Sequence, residues 1–382
     1  MRNIIVIMMS TLMGGVFFSC QMQPKDLADF GIGSPILLQD FSEIFDSIEL
    51  VFLEKRDDAM LKKRDKLYVL DTAFIIYEFA DATHVYMFDK TGRFIRNTRD
   101  LIGQGEQYLN SVTDFLYNRR SGYMEFLDPR GFIRIYDLQN NFIQRIRLPE
   151  PLVHDKYLYH RFQVLPDSMY MFYYMDPQRP FLQLYSLQNK QIVFEEDMKE
   201  SFSGRNIAAD PHVFFEDSRQ VYFAASSQGY VLYRINTFTP ETPLEKAYVF
   251  EFLDNPLPAK LKRDLPDEML LKYDALTDKS ISDKYLHIGY SYGKTDLASF
   301  FYNRQNGRSI CIQYKTRHGD CIFQVDYMDN EYCYFVAPPT WIGKMFPSYP
   351  FDDTTRLRIN ALSDDDNNVI IKYRFKKGFL ED

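Results

Sequence analysis

"THVYMFDKTGRFIRNT", residues 83–98, alternates apolar and polar side chains, breaks at Lys90 to Gly92, then alternates again. Side chains along a strand point to opposite faces with a period of two, so the stretch reads as two antiparallel strands joined by a tight turn. The plan recurs in "GFIRIYDLQNNFIQRIRL" (131–148), in "PFLQLYSLQNKQIVFEED" (180–197) and, with a longer turn, in "GYVLYRINTFTPETPLEKAYVF" (229–250). Aligning Phe88-Asp89, Tyr136-Asp137, Tyr185-Ser186 and Tyr233-Arg234 spaces the copies by 48, 49 and 48 residues. A further copy, "ASFFYNRQNGRSICIQY" (298–314), places Tyr302-Asn303 another 69 residues on.

Upstream of these pairs stand further strand-like runs: "KLYVLD" (66–71), "GYMEFLD" (122–128), "SMYMFYYM" (168–175) and "QVYFAAS" (220–226). Four short strands in each ~45 residues is the signature of a propeller blade. One blade cannot bury both of its faces, so neighbouring blades stack and aromatic side chains fill the contacts. The 33 Phe and 28 Tyr suit that role, because aromatic rings fit the pleated surface of a sheet. The excess before the displaced copy falls in "LPAKLKRDLPDEMLLKYDAL" (257–276). Pro266, Asp267 and Glu268 suit a helix start and Met269, Leu270, Tyr273 and Leu276 share a face, which predicts one short helical insertion.

A last unit has strands at "CIFQVDYM" (321–328), "YCYFVAP" (332–338) and "NNVIIKYRF" (367–375) but no clear fourth. The orphan "SIELVFLE" (47–54) fills that gap if the two chain ends share a blade, with Leu50 and Phe52 facing the core. The expected fold is therefore all-β: a six-bladed β-propeller of four-stranded antiparallel blades. Closure removes the sheet edges that would otherwise pair between molecules.

The first twenty residues, "MRNIIVIMMSTLMGGVFFSC", carry one positive charge and then an apolar run too short for a comfortable span. They read as a secretory signal, and Cys20 at the end resembles the lipidated cysteine of a bacterial lipoprotein; the alternative is an ordinary signal in which Cys20 is incidental. The expected divisions are a lipoprotein signal peptide at 1–19, a polar tether at 20–45 and the propeller at 46–382. Lipid chains on Cys20 would hold the protein to a membrane of the bacterial cell envelope, the outer membrane above all. Cys311, Cys321 and Cys333 remain; a two-residue loop at His318 and Gly319 in the "RHGD" turn (317–320) would set Cys321 opposite Thr316 and Cys311 opposite Asp326, so the thiols do not face each other and the three read as small buried hydrophobes.

"FDKTGRFIRN" (88–97), "IGQGEQY" (102–108) with "DF" (114–115), and the closing "DDDNNVIIKYRFK" (364–376) together resemble the six-bladed β-propeller lipoproteins of Bacteroidota, related in architecture to NHL and TolB-like propellers. Members show a Phe-Asp-x-x-Gly-x-Phe strand pair, a Gly-x-Gly-Pro-Glu-Tyr-like connector and an Asp-Asn-rich turn before the last strand. This chain has Glu106 and Gln107 where the connector has Pro and Glu. The resemblance covers residue 46 onward and implies the fold; most members have no assigned activity.

The motifs of catalysis are missing from the sequence. A dinucleotide loop needs a third glycine where "IGQGEQY" has Tyr108, and a P-loop needs Gly-Lys-Ser/Thr, so the stretch is read as a connector between blades. His84, His154, His160, His212, His287 and His318 are scattered without metal-ligand spacing, although His154 and His160 could share a loop. The acidic turns "DYMDNE" (326–331) and "SDDDNN" (363–368) lack the spaced ligands of a calcium loop. A formal charge of -8 argues against nucleic-acid partners. No catalytic residue, cofactor or metal is expected. The leading expectation is a lipid-anchored, non-catalytic binding module for a protein, peptide or glycan. The alternative is a carbohydrate- or peptide-directed hydrolase or lyase at the channel mouth, which a cluster of Arg, His and carboxylates in the channel would favour.

Overall fold

The structure is a computed structural model that describes residues 28–62, 65–78, 84–109, 111–149, 161–174, 180–197, 212–224, 230–254, 275–292, 296–322 and 324–381. Two strands come first in the chain, β1 (Ala28–Ile32) and β2 (Phe45–Phe52). Blade 1 follows with β3 (Lys66–Val69), β4 (Ala73–Glu78), β5 (His84–Asp89) and β6 (Phe94–Asn97). Blade 2 is β7 (Asp114–Asn118), β8 (Tyr123–Asp128), β9 (Phe132–Tyr136) and β10 (Phe142–Arg147). Blade 3 is β11 (Arg161–Leu165), β12 (Met169–Tyr173), β13 (Pro180–Ser186) and β14 (Gln191–Asp197). Blade 4 is β15 (Phe214–Glu216), β16 (Val221–Phe223), β17 (Val231–Ile235) and β18 (Leu244–Phe252), to which β1 adds a fifth strand in parallel. Blade 5 is β19 (Ala275–Ile281), β20 (Tyr285–Tyr292), β21 (Asp296–Asn303) and β22 (Ser309–Gln313). Blade 6 is β23 (Tyr327–Met328), β24 (Tyr332–Ala337) and β25 (Val369–Phe375), completed by β2. The first strand of each blade lines the central channel, as expected of a closed propeller.

The ~48-residue repeat has a local cause. The aligned aromatic-polar pairs end the third strand of their blades, and the polar member caps the turn into the fourth. Asp89 Oδ1 accepts the Thr91 and Arg93 amides at 2.8 and 3.0 Å. Asp137 Oδ1 accepts those of Gln139 and Asn141, both at 2.8 Å. Ser186 Oγ accepts Asn189 N at 3.2 Å, and Asn303 Oδ1 accepts Gln305 N at 2.9 Å. In blade 4, where Arg234 occupies the aligned position, Asn236 does the same for Phe238 N at 3.0 Å. These side chains satisfy turn amides that the ladder leaves unpaired.

Ring closure also has named contacts. β2 pairs antiparallel with β25 from Phe45↔Phe375 to Phe52↔Val369, with a bulge before Ser47. The deeply buried positions are Phe45 and Ile48, while Leu50 and Phe52 are half-buried. Ile48, Leu50 and Phe52 alternate onto one face against the same core cluster, so the expected face is the observed one, with Ile48 the deepest of the three. Gly92, in the opening stretch, has φ +89°, and a Cβ there would lie 2.3 Å from the Phe52 carbonyl oxygen. Buried Asn367 donates to the Glu54 and Ala59 carbonyls at 2.9 and 2.8 Å and accepts Leu61 N at 3.2 Å. The Asp-Asn-rich turn thus fastens the end of the chain to the segment leaving β2.

Three sequence expectations change. Residues 28–45, read as the end of a polar tether, are packed: β1 sits on blade 4, Ile36 bridges Ile312 of blade 5, and Leu38, Phe41 and Ile44 are buried beside blade 6. The N-terminal segment therefore crosses the outer edges of three successive blades. The helix expected at 257–276 falls on residues of which 257–274 lie outside those described, while Ala275 and Leu276 open β19, with Leu276 buried in the ring. Among the described residues, α-helical structure lies between β24 and β25, as α1 (Ile342–Met345) and α2 (Asp353–Asn360). There Asp352 caps α2 by accepting Thr355 N at 2.9 Å, and Ile342, Met345, Phe346 and Ile359 enter the core. Finally, Cys321 bridges Lys315 rather than Thr316, because the turn is one residue longer than two, from Thr316 to Asp320. The three cysteines are unbridged, Cys321 and Cys333 buried and Cys311 half-buried.

Candidate functional site

The connector "IGQGEQY" runs from blade 1 to blade 2, as its place in the repeat implied. Its amides are used within the loop: Gly103 N reaches Leu109 O at 3.2 Å and Leu109 N reaches Leu101 O at 2.7 Å. Gly105 needs its φ of +117°, and a Cβ on Gly103 would press on the Tyr108 ring at 3.0 Å. The Glu106 and Gln107 carbonyls accept from Arg134 Nε and the Tyr136 hydroxyl at 3.2 and 2.8 Å. This is a docked turn.

The channel is more highly charged than the sequence suggested. One mouth carries a network across three blades. Asp114, fully buried on β7, takes the Lys66 ammonium of β3 at 2.6 Å on Oδ1 and the Phe162 amide of β11 at 3.0 Å on Oδ2. Lys66 also donates to Phe115 O at 2.9 Å, and Arg161 lies 3.8 Å from Asp114 and 3.4 Å from Asp65. Burial, partly offset by Asp114, pushes the Lys66 ammonium below its ordinary range. A cavity of about 90 Å³ beside Lys66 and Arg161 extends to Glu216, Lys279 and Tyr327. That volume suits a few waters and falls short of the ~300 Å³ of a ligand pocket.

At the second mouth Arg119, just after β7, spans the opening. Its Nη2 donates to the Tyr327 hydroxyl of blade 6 at 3.0 Å and to Val69 O of blade 1 at 3.4 Å, while Nε lies 3.5 Å from Glu216 of blade 4. Its guanidinium also sits 5.3 Å from the centre of the Tyr327 ring. Burial raises the Glu216 carboxyl above its usual range, against the pull of Arg119 and Arg120. Arg119 and Tyr327 are shared with a second, larger cavity of about 420 Å³ between blades 6 and 1. Val69, Leu70, Asp71, Lys90, Asp329, Asn330, Glu331, Tyr332 and Tyr334 complete it.

Blade 5 holds an arrangement that mimics a catalytic relay. His287 Nε2 lies 3.1 Å from Ser299 Oγ, and its Nδ1 lies 3.4 Å from Asp278 Oδ2. All three side chains are buried, and Asp278 Oδ2 accepts the Val325 amide at 3.1 Å, tying blade 5 to blade 6. Gly289 makes the crossing feasible, since a Cβ there would fall 1.9 Å from Asp278 Oδ1. Internal fastening explains every one of these contacts. Burial raises the Asp278 carboxyl to about 6 and lowers the His287 imidazole to about 3. The raised carboxyl adds stability at low pH that is lost as pH rises through about 6; the lowered imidazole takes stability away as pH falls from the ordinary histidine range. Between about pH 6 and 4 the two oppose each other. Asp278→Asn is therefore expected to unmask the histidine and lose roughly 1 kcal/mol of stability per pH unit on acidification across that range relative to the parent. Urea melts at stepped pH read this directly.

Of the residues singled out from sequence, Cys20, His154 and His160 lie outside those described. His84 and His287 are buried, His212 lines the small cavity, and His318 is exposed. Among the described residues no group of three or more His, Cys, Asp and Glu side chains converges as a metal would require. Lys66, Asp114, Arg161 and Arg119 were not anticipated. The signal was present: Lys66 and Asp114 are 48 residues apart, as are Asp114 and Phe162, the blade period itself.

The fold and its mouths define a closed six-bladed propeller with a polar groove beside the channel. The chain belongs to the family described as a domain of unknown function (DUF4934), whose profile matches residues 32–374. No curated protein matches it significantly in sequence. Among solved structures, it is similar to the crystal structure of a "Putative exported protein" from Bacteroides fragilis NCTC 9343, with a TM-score of 0.68 and 16% identity over 92% of this chain and 100% of that one. It also matches the Cps50 (Swd1) β-propeller domain of Myceliophteria thermophila at a TM-score of 0.41 and 10% identity, covering 71% of this chain and 93% of that one, a likeness too distant to argue from. The first similarity supports the fold.

Proposed function

We propose that this protein is an exported, non-catalytic binding module of the bacterial cell envelope, held to the membrane through Cys20, that takes a glycan in the groove beside Arg119. The observation that carries the reading is the groove of about 420 Å³, which sets tyrosine rings among cationic and anionic side chains. Sugars are bound by such mixtures, since hydroxyls both donate and accept and the ring's C–H face packs on aromatics. The signal-like N-terminus and the name of the B. fragilis relative support export. A glycan and peptide array probed with the chain from residue 25, which keeps every described strand, tests the reading. Reproducible binding to one glycan class is expected, and Arg119→Ala is expected to weaken it at least tenfold. Binding to peptides alone would overturn the glycan assignment. Cys20→Ala is expected to move the protein from the membrane to the soluble envelope fraction; retention in the membrane would refute the anchor.

One observation bears on the enzymatic alternative: Lys66, Arg161, Asp65 and Asp114 gather at one mouth of the channel, a charged cluster that, among the described residues, lacks the expected histidine in its ion pairs. These charges are engaged with one another across the blades, and the space beside them is small. Turnover of an array-selected glycan, abolished by Glu216→Gln, would establish that alternative.

A further inference from the structure

We propose that the groove between blades 6 and 1 selects an acidic sugar, whose carboxylate is bound by Arg119 and Lys90. The inference rests on the glycan reading and narrows it to one class.

The polar groups of the groove divide into those already engaged and those left unused. Arg119 commits Nη2 to Tyr327 and Val69 and holds Glu216 only loosely at 3.5 Å, so Nη1 has no acceptor among the described residues. The guanidinium is anchored from three blades yet keeps donors for a guest. Lys90 makes no ion pair among the described residues; its ammonium lies 4.4 Å from the centre of the Phe74 ring. Two cations with donors to spare therefore line one cavity. The acids there divide differently. Asp329 spends Oδ1 on the Glu331 and Tyr332 amides, at 2.8 and 2.7 Å, and Oδ2 on the Tyr334 hydroxyl at 3.2 Å. Asp71 and Glu331 are exposed at the rim and free to accept hydroxyls. A carboxylate suits the planar fork of an arginine, and neutral sugar hydroxyls suit the rim acids. A uronic acid presents both, on a scaffold that fits the cavity.

The test is calorimetric titration of the chain from residue 25 with galacturonate, glucuronate and mannuronate oligomers, each beside its methyl ester. The ester keeps the ring and its hydroxyls and removes the charge. One acid is expected to bind at least tenfold more tightly than its ester, with the difference shrinking at high salt. Lys90→Ala and Arg119→Ala are each expected to reduce that preference, and Arg119→Lys to restore it only in part, because an ammonium cannot donate as a fork. If Arg119→Ala melts early, Lys90→Ala, at a turn on the surface, decides alone. Equal binding of acid and ester overturns the carboxylate assignment and leaves the glycan module standing. Binding only of neutral glycans on the array does the same. No binding to any glycan overturns both.

Discussion

A chain beginning at residue 54, without β1 and β2, is expected not to fold. β2 is the outer strand of blade 6, and its loss strips β25 of its ladder along one edge. The same truncation removes Leu38, Phe41, Ile44, Phe45 and Ile48 from one buried cluster. Each such side chain contributes ~1.5–3 kcal/mol by burial, so the sum rivals the 5–15 kcal/mol that holds a typical domain together. The point version is Phe45→Asp with Ile48→Asp, which places two carboxylates in that cluster and should abolish the cooperative thermal transition. Leu50→Asp with Phe52→Asp should be milder, because those side chains are only half-buried. Circular dichroism melts separate the two pairs, and equal melting of both would contradict the deeper burial of Phe45 and Ile48.

Asp114→Ala is the second large effect. The substitution leaves the buried Lys66 ammonium without its carboxylate, removes one of the two acids beside Arg161 and strands the Phe162 amide. Removing one partner of a buried ion pair costs about 3–5 kcal/mol, because the remaining charge stays desolvated. Lys66→Met with Asp114→Leu should recover part of that loss by replacing the pair with apolar groups of similar volume, although Phe162 N stays unpaired. Urea titration of the three proteins gives the comparison. A loss below about 1 kcal/mol for Asp114→Ala would mean that the mouth is open to water and the network superficial.

The blade repeat was legible because in four blades the third strand ends in an aromatic followed by a side chain that caps the next turn, at Asp89, Asp137, Ser186 and Asn303. Local chemistry of that kind writes itself into sequence at a fixed period. The closing strand was legible as a leftover together with its core-facing side, whereas the burial of Phe45 was not, since it lies beyond a bulge before Ser47 that depends on the partner strand. The first strands of the blades were harder to see. "DFLYN", "RFQVL" and "FFE" are short, and the channel edge admits charged residues where alternation leads one to expect apolar ones. The candidate site was the least legible part. Arg119, Tyr327, Lys90 and Asp71 come from three blades and meet only when the ring closes, so no local pattern joins them. Of the local patterns, the acidic turn at 326–331 lines the groove through Tyr327, Asp329 and Glu331, while the glycines of "IGQGEQY" serve the connector.

The central claim is that the groove beside Arg119 is where this propeller meets its ligand. Hydrogen–deuterium exchange with and without the array-selected glycan tests it most directly. The account predicts slowed exchange confined to the amides around residues 69–71, 119–121 and 329–332, the turns that wall the groove. Protection on the outer strands alone, or at the opposite mouth around Lys66 and Arg161, would contradict it.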